Sequence, residues 1–118
     1  MRRIQGSVRL RPPHRSWVYI LASRKNGTLY VGVTTNLRTR LLQHRLGAFG
    51  GFTKQHHVTA LVYFEEFGNL KHAIAREKEL KGWSRSRKIE LIESANPDWD
   101  DLAAGWYAGG LDPSHGSG

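Results

Sequence analysis

Arg40 and His44 are four residues apart, so on a helix they project from one face, one turn apart. A guanidinium fork and a titratable imidazole in one place can bind an anion and move a proton. Leu37 and Leu41 lie beside them on the helical wheel, which puts the pair at the border of a buried face. An ordinary solvated Arg and His would share that spacing. Glu77 is more informative. Leu70, Ala73, Ile74 and Glu77 follow the i, i+3, i+4, i+7 spacing of a core-facing stripe, with Glu77 where an apolar residue belongs. A carboxylate there is costly unless it is hydrogen-bonded, bound to a metal or paired with a cation, and Arg40 is one available cation. Tyr19 and Tyr30 fall in two apolar runs that read as paired strands. They can bring two phenols to one side, although Tyr also packs well in strands for its own sake. Gly32 inside the second run marks either a bulge or a close approach of backbone or ligand. Arg85, Arg87 and Lys88 open a third helix and oppose its macrodipole, a cost that a phosphate partner or plain solvation relieves.

The elements that must position these groups form an α/β pattern. Trp17-Val18-Tyr19-Ile20-Leu21 reads as a strand, Asn26-Gly27 as a hairpin turn, and residues 28–34 as the returning strand. Asn36 can cap a helix from Leu37 to about Leu46, which Gly47 stops. Ala60-Leu61-Val62-Tyr63-Phe64 is a third strand. A second helix runs from about Leu70 to Lys81, and Ser84 caps a third that reaches about Ser94. Residues 1–15 read as a flexible basic arm, 16–102 as the folded domain and 103–118 as a Gly-rich disordered tail, although Trp99 and Trp106 are expected to pack back on the domain.

Composition narrows the class. A length of 118 residues bounds the chain to one domain. Hydrophobic residues at 39% and charged residues at 24% fit a folded soluble domain and not a wholly disordered chain. Zero Cys excludes a disulfide scaffold or disulfide partner, a Cys-based zinc site and a cysteine nucleophile. No apolar run approaches ~18 residues, so no membrane span is expected. Arg2-Arg3 is followed by Ile4-Gln5-Gly6-Ser7, too polar for a signal segment, so the cytoplasm is the default compartment. The net charge of +8 is uneven: residues 1–15 carry five Arg and no acid, and residues 96–118 carry four Asp and no Lys or Arg. Such a basic domain favours a polyanion, nucleic acid first, unless the surface is simply inert. A metal site built from His14, His56, His57 and His115 would draw its outer members from the tails and is set aside.

Together these residues resemble the GIY-YIG endonuclease superfamily. Trp17-Val18-Tyr19 corresponds to its first short motif and Tyr30-Val31-Gly32 to its second. The family's functional Arg, eight residues after the Gly, selects Arg40 over Arg38; its frequent His matches His44, and its metal-binding Glu matches Glu77 in Ala73-Ile74-Ala75-Arg76-Glu77-Lys78. The resemblance covers about residues 16–99 and is strongest to small stand-alone bacterial members that are similar to the N-terminal domain of the excinuclease. Lys81-Gly82-Trp83-Ser84-Arg85 and Asn96-Pro97-Asp98-Trp99 look like that subgroup. Trp17 departs from the name-giving Gly, and His56 stands where the subgroup looks to prefer Tyr.

The resemblance implies a small three-stranded antiparallel sheet flanked by about three helices. It also implies metal-dependent hydrolysis of nucleic-acid phosphodiesters. Glu77 would hold one Mg²⁺ or Mn²⁺, Arg40 would face the charge developing on phosphorus, and His44 would relay a proton. Tyr19 or Tyr30 would orient or deprotonate the attacking water, with Tyr19 favoured; an ordinary phenol pKa near ~10 would have to be lowered for the task. Gly32, Arg38, Lys54, Arg85, Arg87 and Lys88 are the candidate nucleic-acid contacts. DNA is the favoured substrate, single-stranded or structured, in repair, recombination or uptake. Two rivals stay open: a non-catalytic binding module, and a catalytic component that needs a targeting protein partner. A monomer is favoured.

Overall fold

The computed structural model describes residues 15–47 and 56–107. Lys54, most of the expected basic arm and residues 108–118 lie outside the described residues. The order is β1 (Ser16–Ala22), β2 (Leu29–Thr34), α1 (Leu37–Arg45), β3 (Ala60–Phe67), α2 (Leu70–Gly82) and α3 (Arg85–Ala95). The three strands form one antiparallel sheet in the order β2-β1-β3. This is the α/β architecture expected from the sequence.

The central strand explains its own composition. β1 pairs on both sides, and helices cover both faces, so its run of Val18, Tyr19, Ile20 and Leu21 is fully buried. Odd and even positions then feed two separate cores. Tyr19 and Leu21 join Leu37 and Leu41 of α1, with Val58 and Leu61. Val18 and Ile20 join Ala73 and Leu80 of α2 and Ile92 of α3. Hence α1 covers one face, and α2 and α3 cover the other.

Each helix start has the expected chemistry. Asn36, Asn69 and Ser84 accept a hydrogen bond from the backbone N–H three residues on, at Thr39, His72 and Arg87. The hairpin differs from a tight two-residue turn. Asn26 does take the left-handed backbone, with φ 58°. The loop is nevertheless longer, because Ser23 and Thr28 clasp its base through their backbone groups and the Ser23 hydroxyl. The buried stripe of α2 is also shifted. Leu70 is 42% exposed, and the stripe runs through Ala73, Glu77 and Leu80.

The domain boundary expected at residue 102 falls inside packed structure. Ala103 and Tyr107 are buried, and residues 96–107 form a strap across the β3 end of the fold. Asp101 Oδ1 accepts from the Leu61 and Ala103 N–H groups, and Leu102 N–H donates to the Leu61 carbonyl. The Asn96 amide donates to the carbonyls of Val62 and Asp100. Arg45 pairs with Asp101 at 2.8 Å, and the Tyr107 hydroxyl donates to the Arg38 carbonyl, so the strap grips α1 along its length. This Asp-rich segment therefore orders because its carboxylate and amide side chains satisfy β3 backbone groups.

Candidate active site

Strand register brings the two tyrosines together. Tyr19 pairs with Gly32 and Leu21 with Tyr30, so Tyr19 and Tyr30 share a face and sit diagonally across β1 and β2. Their rings are 6.3 Å apart. His44 completes the group from α1, with its ring 5.9 Å from Tyr19 and 5.4 Å from Tyr30. The Tyr19 hydroxyl and His44 Nε2 are hydrogen-bonded at 3.0 Å. His44 reaches them because it stands on the buried stripe of α1, after Leu37 and Leu41.

Gly32 makes the arrangement possible. A Cβ there would lie 2.5 Å from Tyr19 Cζ and 2.5 Å from its hydroxyl. The close approach signalled by this glycine is the Tyr19 ring seated on the β2 backbone.

The electrostatics separate the groups. Tyr19 is fully buried, and that burial pushes its pKa up to about 12. Tyr30 adds to the rise, while the charge and hydrogen bonding of the neighbouring Arg40 guanidinium oppose it. Burial lowers the His44 pKa, and the Arg40 charge lowers it further, so the imidazole is neutral near pH 7. Tyr30 and Arg40 are half-buried and form the solvent-facing side of the cluster.

Glu77 approaches from the opposite layer. Its charge contributes to the upward shift of Tyr19. Its side chain is 15% exposed, and Oε2 pairs with Lys81 Nζ at 2.8 Å, one turn along α2. Among the described residues no cluster of three His, Asp or Glu could enclose a metal. A single carboxylate suits an ion that takes most of its ligands from water, as Mg²⁺ does.

The expected nucleic-acid contacts have other duties as well. Arg38 donates to the Trp106 carbonyl and lies 5.0 Å from that indole. Arg85 donates to the carbonyls of Asn26 and Gly27 at 2.7 Å, tying α3 to the β1–β2 loop. Arg87 stacks 4.0 Å over Trp83, whose ring also lies 5.2 Å from Arg76. Lys88 is half-buried, and His56 is exposed. These contacts of Arg38, Arg85 and Arg87 lie with Trp106, the β1–β2 loop and Trp83, not with the Tyr19–His44 pair. The strap contributes Trp106 and Tyr107 to this face: Trp106 packs back on the domain as expected from the sequence, as does the buried Trp99, whereas Tyr107 beside Arg38 is not among the sequence expectations.

The family profile described as the GIY-YIG catalytic domain matches residues 15–90. A UPF0213 protein of Staphylococcus haemolyticus is 38% identical over 79 residues, which is 67% of this chain and 95% of that protein. A UPF0213 protein of Syntrophus aciditrophicus is 36% identical over 85 residues, 71% of this chain and 95% of that protein. The solution NMR structure of a UPF0213 protein from Bacillus halodurans is 29% identical, with a TM-score of 0.48, and covers 74% of this chain and 92% of that one. The profile spans both tyrosine motifs, Arg40, His44 and Glu77, and the chain belongs to the GIY-YIG catalytic-domain family.

Proposed function

We propose that this protein is a metal-dependent endonuclease that hydrolyses phosphodiester bonds of DNA, single-stranded or structured. The observation that supports it most is the convergence of Tyr30, His44 and Arg40 on Tyr19, near enough to Glu77 for its charge to act on the same phenol. A binding module has no need of a largely buried carboxylate beside a polyanion.

In this reading the half-buried Tyr30 and Arg40 meet the substrate. Arg40 holds the non-bridging oxygens as negative charge builds on phosphorus. A water oxygen forms a new bond to phosphorus, one P–O ester bond breaks, and the departing oxygen takes up a proton. Tyr30 orients that water and takes its proton as it hands its own hydroxyl proton to solvent, and solvent supplies the proton to the departing oxygen. Full burial and a pKa of about 12 suit Tyr19 to an inner role as a neutral donor or relay, contrary to the sequence preference for Tyr19 as the base. His44, kept neutral, fixes the Tyr19 hydroxyl through the hydrogen bond at Nε2. Glu77 would hold Mg²⁺ or Mn²⁺, which supplies Lewis-acid stabilisation of the phosphate and the leaving oxygen. The protein would act in the cytoplasm, in repair, recombination or uptake.

The test is cleavage of end-labelled single-stranded, duplex, flap and RNA oligonucleotides with Mg²⁺ or Mn²⁺, with EDTA lanes alongside. Metal-dependent cutting of DNA, lost in EDTA, is the expected result. Salt-sensitive binding without cutting, indifferent to EDTA, would instead make the protein a binding module.

A further inference from the structure

The sheet face that carries Tyr19 continues into an aromatic cleft. Phe64 pairs with Tyr19 across β1 and β3, and Trp17 lies two positions before Tyr19, so all three point to the same side. Trp106 of the strap stands edge-on to Phe64, with centroids 6.3 Å apart at 70°. These rings, with Asn36, Leu37 and Arg38 at the start of α1, line an open cleft of about 260 Å³.

The lining is unusual for a solvent-facing surface of a basic chain. Phe64 is 37% exposed, and Trp17 and Trp106 are half-buried. Arg38 is the one charged residue among the described residues that line the cleft. Glu66, the carboxylate opposite Trp17 on β3, is held by Arg15 at 3.0 Å. Aromatic faces beside a guanidinium, with that carboxylate neutralised, match what a base and its phosphate require of a protein. The volume suits a single ring system and falls below that of drug-sized pockets. Arg38 and Arg40 are two residues apart, about 200° around the helix, so the cleft and the Tyr30–Arg40 site flank the start of α1.

We propose that Trp17, Phe64 and Trp106 form a stacking subsite for one unpaired nucleobase of the bound strand. The subsite rests on the reading of this face as a nucleic-acid site, and it adds a preference. A base inside a duplex is already stacked and cannot enter the cleft, whereas an unpaired base can. Arg38 steers the adjoining phosphate while its other donors keep the Trp106 carbonyl.

Fluorescence anisotropy of a labelled thymidine oligomer and of a labelled duplex, both in EDTA, tests this without cutting. Phe64→Leu keeps the apolar bulk and removes the π-face; Trp106→Leu is an independent arm should either variant melt early. The expected result is a loss of about tenfold in affinity for the single strand, in line with typical base–aromatic stacking, with duplex affinity unchanged. Equal losses for both ligands, or no loss in either variant, would overturn the subsite. So would unchanged DNA affinity combined with lost self-association by size-exclusion chromatography, which would show that the cleft pairs two copies of the chain. Single-strand binding that depends on Phe64 in a protein that cuts nothing would retain the subsite and reject the nuclease. Cutting and single-strand binding that are both indifferent to Phe64→Leu would do the reverse.

Discussion

Gly32 has no side chain because the Tyr19 ring occupies the space one would need. A Gly32→Ala methyl at 2.5 Å from the phenol cannot be accommodated without moving the ring or β2, since both sit in packed structure. The expected outcome is a destabilisation of about 1–3 kcal/mol in urea melts, together with lost cleavage, as the Tyr19–His44 bond is broken. His44 carries a second expectation, in pH. Its folded pKa lies below the ordinary 6.5, so between those values the unfolded chain binds a proton that the folded chain does not. This contribution to stability is fully present above 6.5 and is lost as pH falls through the folded value. Urea midpoints measured from pH 7.5 downward should therefore fall more in the wild type than in His44→Gln. The tyrosines, Arg40, His44 and Glu77 stand out as candidates in the sequence through an out-of-place carboxylate and through the motif spacing of the family it resembles. Their order of burial cannot be read that way. Whether Tyr19 or Tyr30 faces solvent depends on strand register and on what α1 covers.

At the scale of elements, caps and periodicity carry the most information. Asn36 and Ser84 both stand as N-caps where the sequence places them. Sequence reasoning fails where a partner lies far along the chain. Arg38 and Arg85 look like free cations in sequence, yet they bond to backbone carbonyls 68 and 59 residues away. The strap beyond residue 102 escapes it for the same reason, since Asp101 satisfies donors on β3 that no local pattern announces. Asp101→Ala would leave the Leu61 N–H without its side-chain acceptor and release Arg45 from its ion pair. We expect a loss of about 1–3 kcal/mol in denaturant melts. Asp101→Asn, which keeps the acceptor oxygen and removes the charge, should lose less. Equal stability of wild type and Asp101→Ala would show that the strap does not hold the fold.

For the whole molecule the governing quantity is charge. The chain carries +8 at pH 7, while its structured acids are largely committed: Glu65 and Glu79 to Arg76, Glu66 to Arg15, Glu77 to Lys81 and Asp101 to Arg45. A surface of that balance binds a phosphate backbone by releasing counterions. Affinity for an oligonucleotide should fall steeply and linearly on a log–log plot against salt, and a flat dependence would remove the electrostatic part of the account. The fold class and family are accessible from sequence because the motifs are local and their spacing is short. The aromatic cleft is not, because Trp17, Phe64 and Trp106 meet only when β1, β3 and the strap are assembled.

The central claim is that the Tyr30–Arg40 face, together with Glu77, cuts DNA with a divalent ion. Single-turnover cleavage by wild type, Glu77→Ala and Tyr30→Phe in saturating Mg²⁺ or Mn²⁺ tests it most directly, with thermal melts run on each protein. The account predicts cutting by the wild type, no detectable cutting by folded Glu77→Ala, and a loss of about a hundredfold or more in Tyr30→Phe, the scale of a general base. Cutting that survives in Glu77→Ala, or a wild type that never cuts, would contradict it.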